Sequence, residues 1–328
     1  MKVQAHTRLP HIIEPGEVVA AKGAAFFDWV QERRDVWEGL LLRHGALVFR
    51  GFEMGDGLDA LERFISVSGT KPMDYVGGTS VRRQLRGPVY SSTEIPEWVT
   101  IPVHQEMSYS RTFPRRVVLF CAGQPEQGGQ TSLADMRRVY ERLPEAIRSE
   151  FAAKGLRLMR SLPRRDRMGR KTWPEAFGTN DPKEVDRIAA ERGWTVRWRG
   201  TKRLQMAHET VPAVLVHPST GESVWFNQAH GLHHSALGAD LWRDGRYLRW
   251  LHWRSGLPGL WRHDPHTVFG DGSEIDPEVL RLIRSVIHAE TALLNWRNGD
   301  LLLVDNILVA HGRKPFHGRR TIMASLLV

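Results

Sequence analysis

The sequence predicts a mainly β fold decorated by helices, formed by a single domain over residues 1–328. Short apolar runs bounded by turn residues have the length of strands, and apolar residues at helical spacing are confined to segments before and between them. No internal repeat and no low-complexity linker divides the chain. Strands on either side of a central excursion, with helices around them, indicate one compact β core.

The N-terminal part of the chain predicts a helix, a strand, a turn and a second helix. Apolar residues recur at helical spacing over Glu17–Leu42, and this helix is expected to end near Gly45. The run Ala46–Phe49 is apolar and is closed by Arg50–Phe52, which is typical of a buried strand followed by a turn. Helical spacing returns over Gly57–Val67.

Strands dominate the next part of the chain, from Val89 to Ala134. The continuous apolar run Val117–Cys121 is typical of a core strand. A turn at residues 127–130 precedes a short predicted strand, Thr131–Leu133. The segment Met136–Gly155 is predicted to be helical, with Pro144 at a helix start.

The segment Ser161–Gly200 is polar, basic and rich in Trp and Gly, and it lacks clean periodicity apart from a short helix near Pro182–Arg192. We interpret it as an excursion from the core, a lid or insertion. The remaining predicted elements are a hairpin over Val211–Phe226, a helix over Pro277–Glu290, and strands over Asp300–Val304 and Thr321–Val328.

Composition limits the class of protein and the cellular compartment that we expect. Of the 328 residues, 41% are hydrophobic and 25% are charged, which is ordinary for a globular protein with a sizeable core. The single cysteine, Cys121, excludes a disulfide framework within the chain. Neither a signal-like N-terminus nor an apolar run of the roughly 20 residues that span a bilayer is found, so we expect a cytoplasmic protein without a membrane segment.

The formal net charge of +9 is compatible with nucleic acid, a membrane surface or an acidic protein as a partner. Arginines cluster at residues 115–116, 137–138, 164–171 and 313–320, but none of these clusters forms a long basic block. No nucleic-acid motif accompanies them. The pattern therefore favours a generally basic surface over a dedicated polyanion site, and no specific nucleic-acid partner is expected.

Two short patterns carry candidate chemistry. In a strand, His104 and Glu106 would point to the same face and present an imidazole beside a carboxylate, two parts of the facial triad that binds Fe(II). By itself this pair is also common on surface strands. His311 follows an apolar run, where a hydrogen-bonded core histidine is the ordinary interpretation, but Arg313 and Arg320 come soon after it. An arginine near a metal can pair with a dicarboxylate cosubstrate.

Longer motifs follow one another along the chain. They are Phe49–Phe52, His104–Ser110, Phe113–Arg115, Glu126–Asp135, Val214–Gln228, Gly270–Ser273, Asp305–Arg313 and Pro315–Arg320. In this order they resemble the taurine dioxygenase (TauD/TfdA) family, and within it the subgroup similar to the syringomycin-pathway amino-acid hydroxylase. The resemblance covers roughly residues 45–328.

The resemblance implies a double-stranded β-helix, a cupin-like jelly roll of two facing sheets. It also implies Fe(II) and the cosubstrates 2-oxoglutarate and O2. The metal ligands fall on His104, Glu106 and His311. Thr131 falls on the threonine that helps to hold a 2-oxoglutarate carboxylate, and Arg320 on the arginine that binds the distal carboxylate, with Arg313 as the second candidate for that role.

Two positions depart from the more common pattern of the family, which has Asn at position 105 and Asp at position 106. Gln105 stands where Asn is more usual, at a position that is not a ligand. The carboxylate is Glu106, as is usual in this subgroup, and its presence argues against a halogenase, in which a small residue replaces the carboxylate.

Substrate contacts are predicted from position alone. Residues Gln105, Ser108, Tyr109 and Arg111 follow the metal motif and are expected to line the mouth of the site. Ser92 precedes the motif and is expected to face the same cavity, whereas Asn227 is either a substrate contact or a polar group of a strand turn. For Tyr109, a packed aromatic ring with a hydrogen-bonded hydroxyl is the competing interpretation.

A run of histidines, His230, His233 and His234, raises the question of a second metal site. No carboxylate stands at a matching spacing in the sequence, and we therefore predict only one metal centre.

The function expected from these features is hydroxylation of an unactivated C–H bond in an amino-acid-type substrate of secondary metabolism. The amino acid is either free or tethered to an acidic peptidyl carrier protein, to which a basic enzyme surface would bind. Desaturation, epoxidation and cyclisation are alternative outcomes of the same cofactor chemistry. A non-catalytic β-barrel that binds a ligand or a protein is the alternative from another class.

Overall fold

The structure is a computed structural model, and it describes residues 9–16, 23–73, 79, 82–93, 95–166, 171–236 and 265–328. The strands, in chain order, are β1 (His11–Ile13), β2 (Ala46–Phe49), β3 (Gln84–Arg86), β4 (Val89–Ser91), β5 (Ile101–His104), β6 (Arg116–Gly123), β7 (Gln127–Gly128), β8 (Thr131–Asp135), β9 (Leu156–Pro163), β10 (Thr195–Arg199), β11 (Arg203–Ala207), β12 (Val214–Val216), β13 (Ser223–Trp225), β14 (His266–Phe269), β15 (Thr291–Leu294), β16 (Leu301–Asp305), β17 (Val309–Arg313), β18 (Phe316–His317) and β19 (Thr321–Leu327). The helices are α1 (Gly23–Glu32), α2 (Arg34–His44), α3 (Gly57–Val67), α4 (Met136–Arg142), α5 (Glu145–Lys154), α6 (Trp173–Phe177), α7 (Pro182–Glu191) and α8 (Pro277–Ala289).

Two facing sheets form the core, as the predicted double-stranded β-helix requires. The larger sheet has seven strands in the order β1-β2-β16-β6-β19-β4-β3, and the smaller has four in the order β15-β8-β17-β5. Side chains from both sheets meet in one buried cluster, which includes Val117 and Leu302 from the larger sheet and Leu133 and Val309 from the smaller. The mainly β prediction is thereby confirmed.

The larger sheet is covered on both faces, which explains why its strands are apolar throughout. Along β16, Leu302 packs into the space between the sheets, whereas Leu301 and Leu303 face helices α1 to α3. Successive side chains of a strand point to opposite faces, so a strand buried on both sides needs an apolar residue at every position. All five residues of β16 are buried.

The N-terminal helical region differs in one respect from its prediction. A single helix was expected over Glu17–Leu42, but the described part contains two, because α1 ends at Glu32 and α2 begins at Arg34. Gly45 ends α2 in the left-handed conformation, with φ 75°, close to where the pattern placed the end. Helix α3 has the predicted bounds, and the Asp56 side chain caps it by accepting a hydrogen bond from the Leu58 N–H.

The region from β9 to β11 forms a layer with its own small core. Strands β10, β11, β9 and β14 make a four-stranded sheet, and a separate buried cluster that includes Trp173, Phe177 and Leu204 packs beside it. Strand β10 and the end of β9 lie in Ser161–Gly200 and escaped prediction. In β10 the exposure alternates residue by residue, but only Val196 and Trp198 mark the inward face, so the period of two is too short to recognise.

A buried contact fixes the turn between β16 and β17 to the hairpin β12–β13. Asp305 Oδ1 accepts hydrogen bonds from the N–H groups of Ile307 and Leu308, both at 3.0 Å. His217 accepts at Nδ1 from the Ser219 N–H, and its Nε2 therefore donates to Asp305 Oδ2 over 3.2 Å. This turn carries the residues that support the candidate metal centre. Within the part of the chain that the structure describes, no helix is both long and apolar enough to cross a bilayer.

Candidate active site

His104 and His311 face each other across two paired strands of the smaller sheet. Strand β17 runs antiparallel to β5 with His311 directly opposite His104, and the two ring centroids are 4.7 Å apart. Glu106 joins them, with its Oε2 at 3.8 Å from His104 Nε2. One ligand atom from each of the three residues lies within 4.8 Å of the others. Two imidazoles and a carboxylate are the donor set that suits non-haem Fe(II) and leaves positions open.

The strand argument for Glu106 was wrong in its geometry. Strand β5 ends at His104, and Glu106 lies in the turn that follows, next to Met107, which adopts a φ of 57°. The turn, and not strand alternation, therefore brings the carboxylate back beside the histidine.

Side-chain amides hold this turn in place. Asn306, fully buried, accepts from the Glu106 N–H at 2.7 Å and donates to the carbonyls of Glu106 and Pro114. Gln105 Nε2 donates to the Ile307 carbonyl at 2.6 Å, and Gln228 Nε2 donates to the Gln105 carbonyl at 2.6 Å. The turn after β5 is thus tied to the turn after β16. Apart from the family motif, nothing in the sequence indicates this connection.

Both histidines are suited to bind a cation as neutral imidazoles. His104 Nδ1 lies 2.9 Å from the Pro102 carbonyl, which fixes Nδ1 as the donor and leaves the lone pair of Nε2 on the side of Glu106. Burial, with the neighbouring charges of His104 and Arg82, holds the pKa of His311 well below its usual range. His311 Nδ1 is buried without a hydrogen-bond partner.

Gly312 sets the distance between β17 and β5. A side chain there would meet the Ile101 carbonyl oxygen, since a Cβ would lie only 2.5 Å from it. The pairing of the two strands is irregular at this point, between His311 and Arg313. Only glycine allows the backbones to approach closely enough to keep His104 opposite His311.

A cavity with about 450 Å³ of atom-free space opens beside the histidines. Its wall is formed by Arg82, Ser92, Thr93, Ile101, His104, Leu119, Thr131, His311, Gly312, Arg313, Arg320, Ile322 and Ala324. Two of the three candidate metal ligands and all three predicted 2-oxoglutarate residues therefore share one cavity.

Thr131 and Arg320 offer groups that an anion can use. The Thr131 hydroxyl accepts a hydrogen bond from Trp296 Nε1 at 3.0 Å, so its own proton remains to be donated. Arg320 donates from Nε to the Gly129 carbonyl at 3.1 Å, and no carboxylate among the described residues pairs with its guanidinium. Burial and the nearby Arg313 lower the pKa of Arg320 to about 10. An arginine in this state gains from a bound carboxylate.

Arg313 reaches the same cavity but has other partners. Its guanidinium donates to the carbonyls of Ile95, Pro96 and Val99, at 3.1, 2.7 and 2.9 Å. It therefore fastens residues 95–99 to β17, and Arg320 is the better placed of the two for a cosubstrate.

Of the predicted substrate residues, only Ser92 lines this cavity. Gln105 and Asn227 are buried and bound to backbone carbonyls. Ser108 accepts from Gln228 Nε2 at 3.2 Å, and it lines a second cavity together with the exposed Arg111. A substrate role for these residues stays a prediction.

Tyr109 has the environment of a packed aromatic residue. Its hydroxyl accepts from the Thr79 N–H at 3.0 Å, and its ring meets His208 edge to face. The substrate role of Tyr109 likewise stays a prediction.

Sequence reasoning missed a group of cations close to Glu106. Arg82 forms a buried ion pair with the Glu106 carboxylate. Lys171 interacts electrostatically with Arg160, Arg82 and Glu106, and burial followed by the charge of Arg160 lowers its pKa to about 8. Since Lys171 and Arg160 belong to the region around β9, that region contributes positive charge near the metal centre. No local motif marks them.

The chain is similar to known proteins along most of its length. Residues 11–326 match the family model described as taurine catabolism dioxygenase TauD, TfdA family. The chain is 31% identical to the dapdiamide synthesis protein DdaC of Enterobacter agglomerans over 291 residues, which are 88% of this chain and 83% of that protein. It is 28% identical to a clavaminate synthase-like protein of Arabidopsis thaliana over 311 residues, 92% of this chain and 87% of that one.

Among solved structures, the PvcB protein of Pseudomonas aeruginosa has a similar fold. The TM-score is 0.51 at 15% identity, with 97% of this chain and 84% of that chain covered. Fold and site together define an oxygenase that uses Fe(II), 2-oxoglutarate and O2. The chain belongs to the TauD/TfdA family of such dioxygenases.

Proposed function

We propose that this enzyme hydroxylates an unactivated C–H bond of an amino-acid-type substrate in secondary metabolism, with Fe(II) held by His104, Glu106 and His311. The observation that carries the proposal is the placement of the facing histidines in one cavity with Arg320, a half-buried cation without a carboxylate partner among the described residues. The relative DdaC is named for dapdiamide synthesis, which supports a role in secondary metabolism.

We assign Thr131 and Arg320 to the two ends of 2-oxoglutarate. The Thr131 hydroxyl donates to one carboxylate, and the Arg320 guanidinium pairs with the other. Arg313 supports this end of the cavity by holding residues 95–99 against β17.

Fe(II) and 2-oxoglutarate, when bound with O2, supply an oxidant that replaces a C–H hydrogen by hydroxyl while 2-oxoglutarate leaves as succinate and CO2. The chain itself places the reactants and excludes water. Leu119, Ile322 and Ala324 give the cavity apolar walls, which protect a reactive oxidant from side reactions. Ser92 and Thr93 offer hydroxyls on the same wall.

The cations near Glu106 support an anionic group on the substrate. Lys171 interacts electrostatically with the cations Arg160 and Arg82 as well as with Glu106 and Glu175, so three cationic side chains gather in this region. A bound divalent metal ion adds further positive charge. A free amino acid offers its carboxylate to this region. In the same proposal, the excursion Ser161–Gly200 covers the substrate, because Lys171 belongs to it.

A carrier-tethered substrate is supported by the net charge of +9, since carrier proteins are commonly acidic. Turnover of the same amino acid, free and loaded on a carrier, separates the two forms. A preference of at least about tenfold in kcat/KM for the loaded form supports docking of a carrier, and equal turnover removes the carrier from the proposal. The product mass then distinguishes hydroxylation, which adds an oxygen atom, from desaturation, which removes two hydrogens.

The cofactor assignment is tested by anaerobic titration of the apoprotein with Fe(II) and 2-oxoglutarate. We expect the weak visible charge-transfer band of the chelate in the wild type and its loss in His104→Ala. His317→Ala is the matched control, because His317 is exposed and lies outside the candidate metal centre. A folded wild type without the band would overturn the assignment of the metal ligands.

A further inference from the structure

A second cluster of metal-binding side chains lies outside the oxygenase site. His233, His234, His266 and Glu274 each present one ligand atom, and these atoms all lie within 4.8 Å of one another. None of the four lines the cavity beside His104 and His311.

Three separate segments bring these residues together. His233 and His234 lie in the turn after β13, and His266 begins β14. The Thr267 hydroxyl donates to the Leu232 carbonyl at 3.0 Å, which ties β14 to the histidine turn. The tight turn after β14, closed by the hydrogen bond from the Phe269 N–H to the Ser273 carbonyl, returns the chain so that Glu274 lies beside His266.

The distances are close to those of a coordination shell. His266 Nε2 lies 3.1 Å from Glu274 Oε2, and His233 Nε2 lies 3.8 Å from the same oxygen. Ligand atoms of a tetrahedral zinc site, at about 2.0–2.2 Å from the metal, are roughly 3.3–3.5 Å apart. The most distant atoms need to move by about 1 Å, which rotation of the exposed Glu274 side chain and of the rings supplies.

One nitrogen in this cluster has no role in the fold. His233 is buried, and its Nε2 has no hydrogen-bond partner. Its Nδ1 lies 2.9 Å from Ser235 Oγ and accepts from the Ser235 N–H at 3.2 Å, and these contacts orient the ring with Nε2 on the side of Glu274. A metal ion on Nε2 requires the tautomer with its proton on Nδ1, which then donates to Ser235 Oγ.

We propose that His233, His234, His266 and Glu274 form a second metal site, which binds a divalent ion of the zinc class with four protein ligands. Three imidazoles and one carboxylate suit zinc, whose preference is tetrahedral coordination by nitrogen and oxygen. With no open position, the site is structural. It fastens the segment before residue 237 to the segment after residue 264.

The test uses a full-length variant in which the oxygenase site has been removed, His104→Ala with His311→Ala, and Co(II) as the probe. We expect about one equivalent of Co(II) to bind, with the intense visible d–d bands of four-coordinate cobalt. Adding His266→Ala to this variant should remove the bands and at least about nine-tenths of the bound metal. Adding His288→Ala, an exposed histidine in α8, should leave both unchanged.

Glu274→Gln in the same background guards against a variant that fails to fold, because the Glu274 side chain is 66% exposed and the change preserves its size. We expect it to weaken Co(II) binding by about tenfold or more, while the circular dichroism spectrum stays that of the parent. The proposal is overturned if the variant without the oxygenase site binds no Co(II), or if the bound Co(II) is indifferent to both His266→Ala and Glu274→Gln.

Discussion

Arg50 and Arg320 are both withdrawn from solvent, but their surroundings differ. Arg50 donates from Nε and Nη2 to the two carboxylate oxygens of Asp300, at 3.0 and 2.7 Å, and its pKa is raised chiefly by that hydrogen bonding. Arg320 has a backbone carbonyl as its partner, and burial lowers its pKa. Where the chain supplies both charges, the pair serves the fold. Where it supplies only the cation, the anion is expected to arrive as a ligand.

The largest expected effect concerns the buried ion pair of Arg50 and Asp300. Asp300→Ala leaves Arg50 buried without its anion, and we expect the free energy of unfolding to fall by about 3–5 kcal/mol in urea titrations. Asp59→Ala is the control, because it removes an exposed partner of Arg86 and should give no measurable change. A variant at Asp300 with wild-type stability would remove the distinction between the two arginines.

Arg320 has no carboxylate partner among the described residues, and Arg320→Gln should weaken the binding of 2-oxoglutarate without destabilising the fold. We expect the Kd of the Fe(II)-loaded enzyme for 2-oxoglutarate to rise about 100-fold, measured anaerobically by calorimetry, because a charge-assisted carboxylate pair is lost. The urea midpoint should not decrease, since a desolvated cation is removed.

Arg313→Gln is the matched variant for this test. It deprives three backbone carbonyls of their donor, so we expect lower stability with a smaller effect on 2-oxoglutarate binding. If Arg313→Gln abolished binding and Arg320→Gln did not, the two roles would have to be exchanged.

His208 is a third kind of buried group, a side chain that stays neutral, and we expect it to make the stability of the protein depend on pH. His208 packs against Trp194 and Tyr109, and burial lowers its pKa to about 3. Because the unfolded chain binds the proton more readily, the stability due to neutral His208 is complete above about pH 6.5 and is lost as the pH falls towards 3. Between pH 7 and pH 5 the loss should be about 2 kcal/mol, and His208→Gln should flatten this dependence. An unchanged slope in the variant would contradict the assigned environment.

The smallest expected effect concerns the backbone beneath the metal ligands. Gly312→Ala should push β5 away from β17, displace His104 and weaken Fe(II) binding by about tenfold, as measured by competition with a chelator. Gly39→Ala in α2 is the control, since an added methyl group there contacts nothing. Equal Fe(II) affinity in both variants would show that β5 and β17 adjust to the added methyl group without displacing His104.

The sequence allowed the core and the candidate metal ligands, which the fold brings together, to be predicted because their signals are local or belong to long motifs. Val117–Cys121 is apolar throughout, since it is buried on both faces, and His104, Glu106 and His311 stand in recognisable runs. The cations near Glu106 were not predictable in this way. Arg82 is far along the chain from Arg160 and Lys171, and only the folded chain brings their charges together.

The second histidine cluster teaches the same lesson. His233 and His234 were noticed, but the absence of a carboxylate nearby in the sequence argued against a site. Glu274 reaches the cluster through the turn after β14, forty residues further along the chain than His234 and so beyond any spacing rule. Contacts that depend on tertiary packing leave no periodic trace in the residues that make them.

The amide clamp of Asn306, Gln105 and Gln228 has a consequence for how the enzyme acquires its metal. These hydrogen bonds hold the turn that carries Glu106 without any contribution from a metal ion. Since the turn is held by the protein's own hydrogen bonds, we expect Fe(II) to be loaded without a folding step. The apoprotein should keep its fold when iron is lost to oxidation or chelation, and it should regain activity as soon as Fe(II) is supplied again.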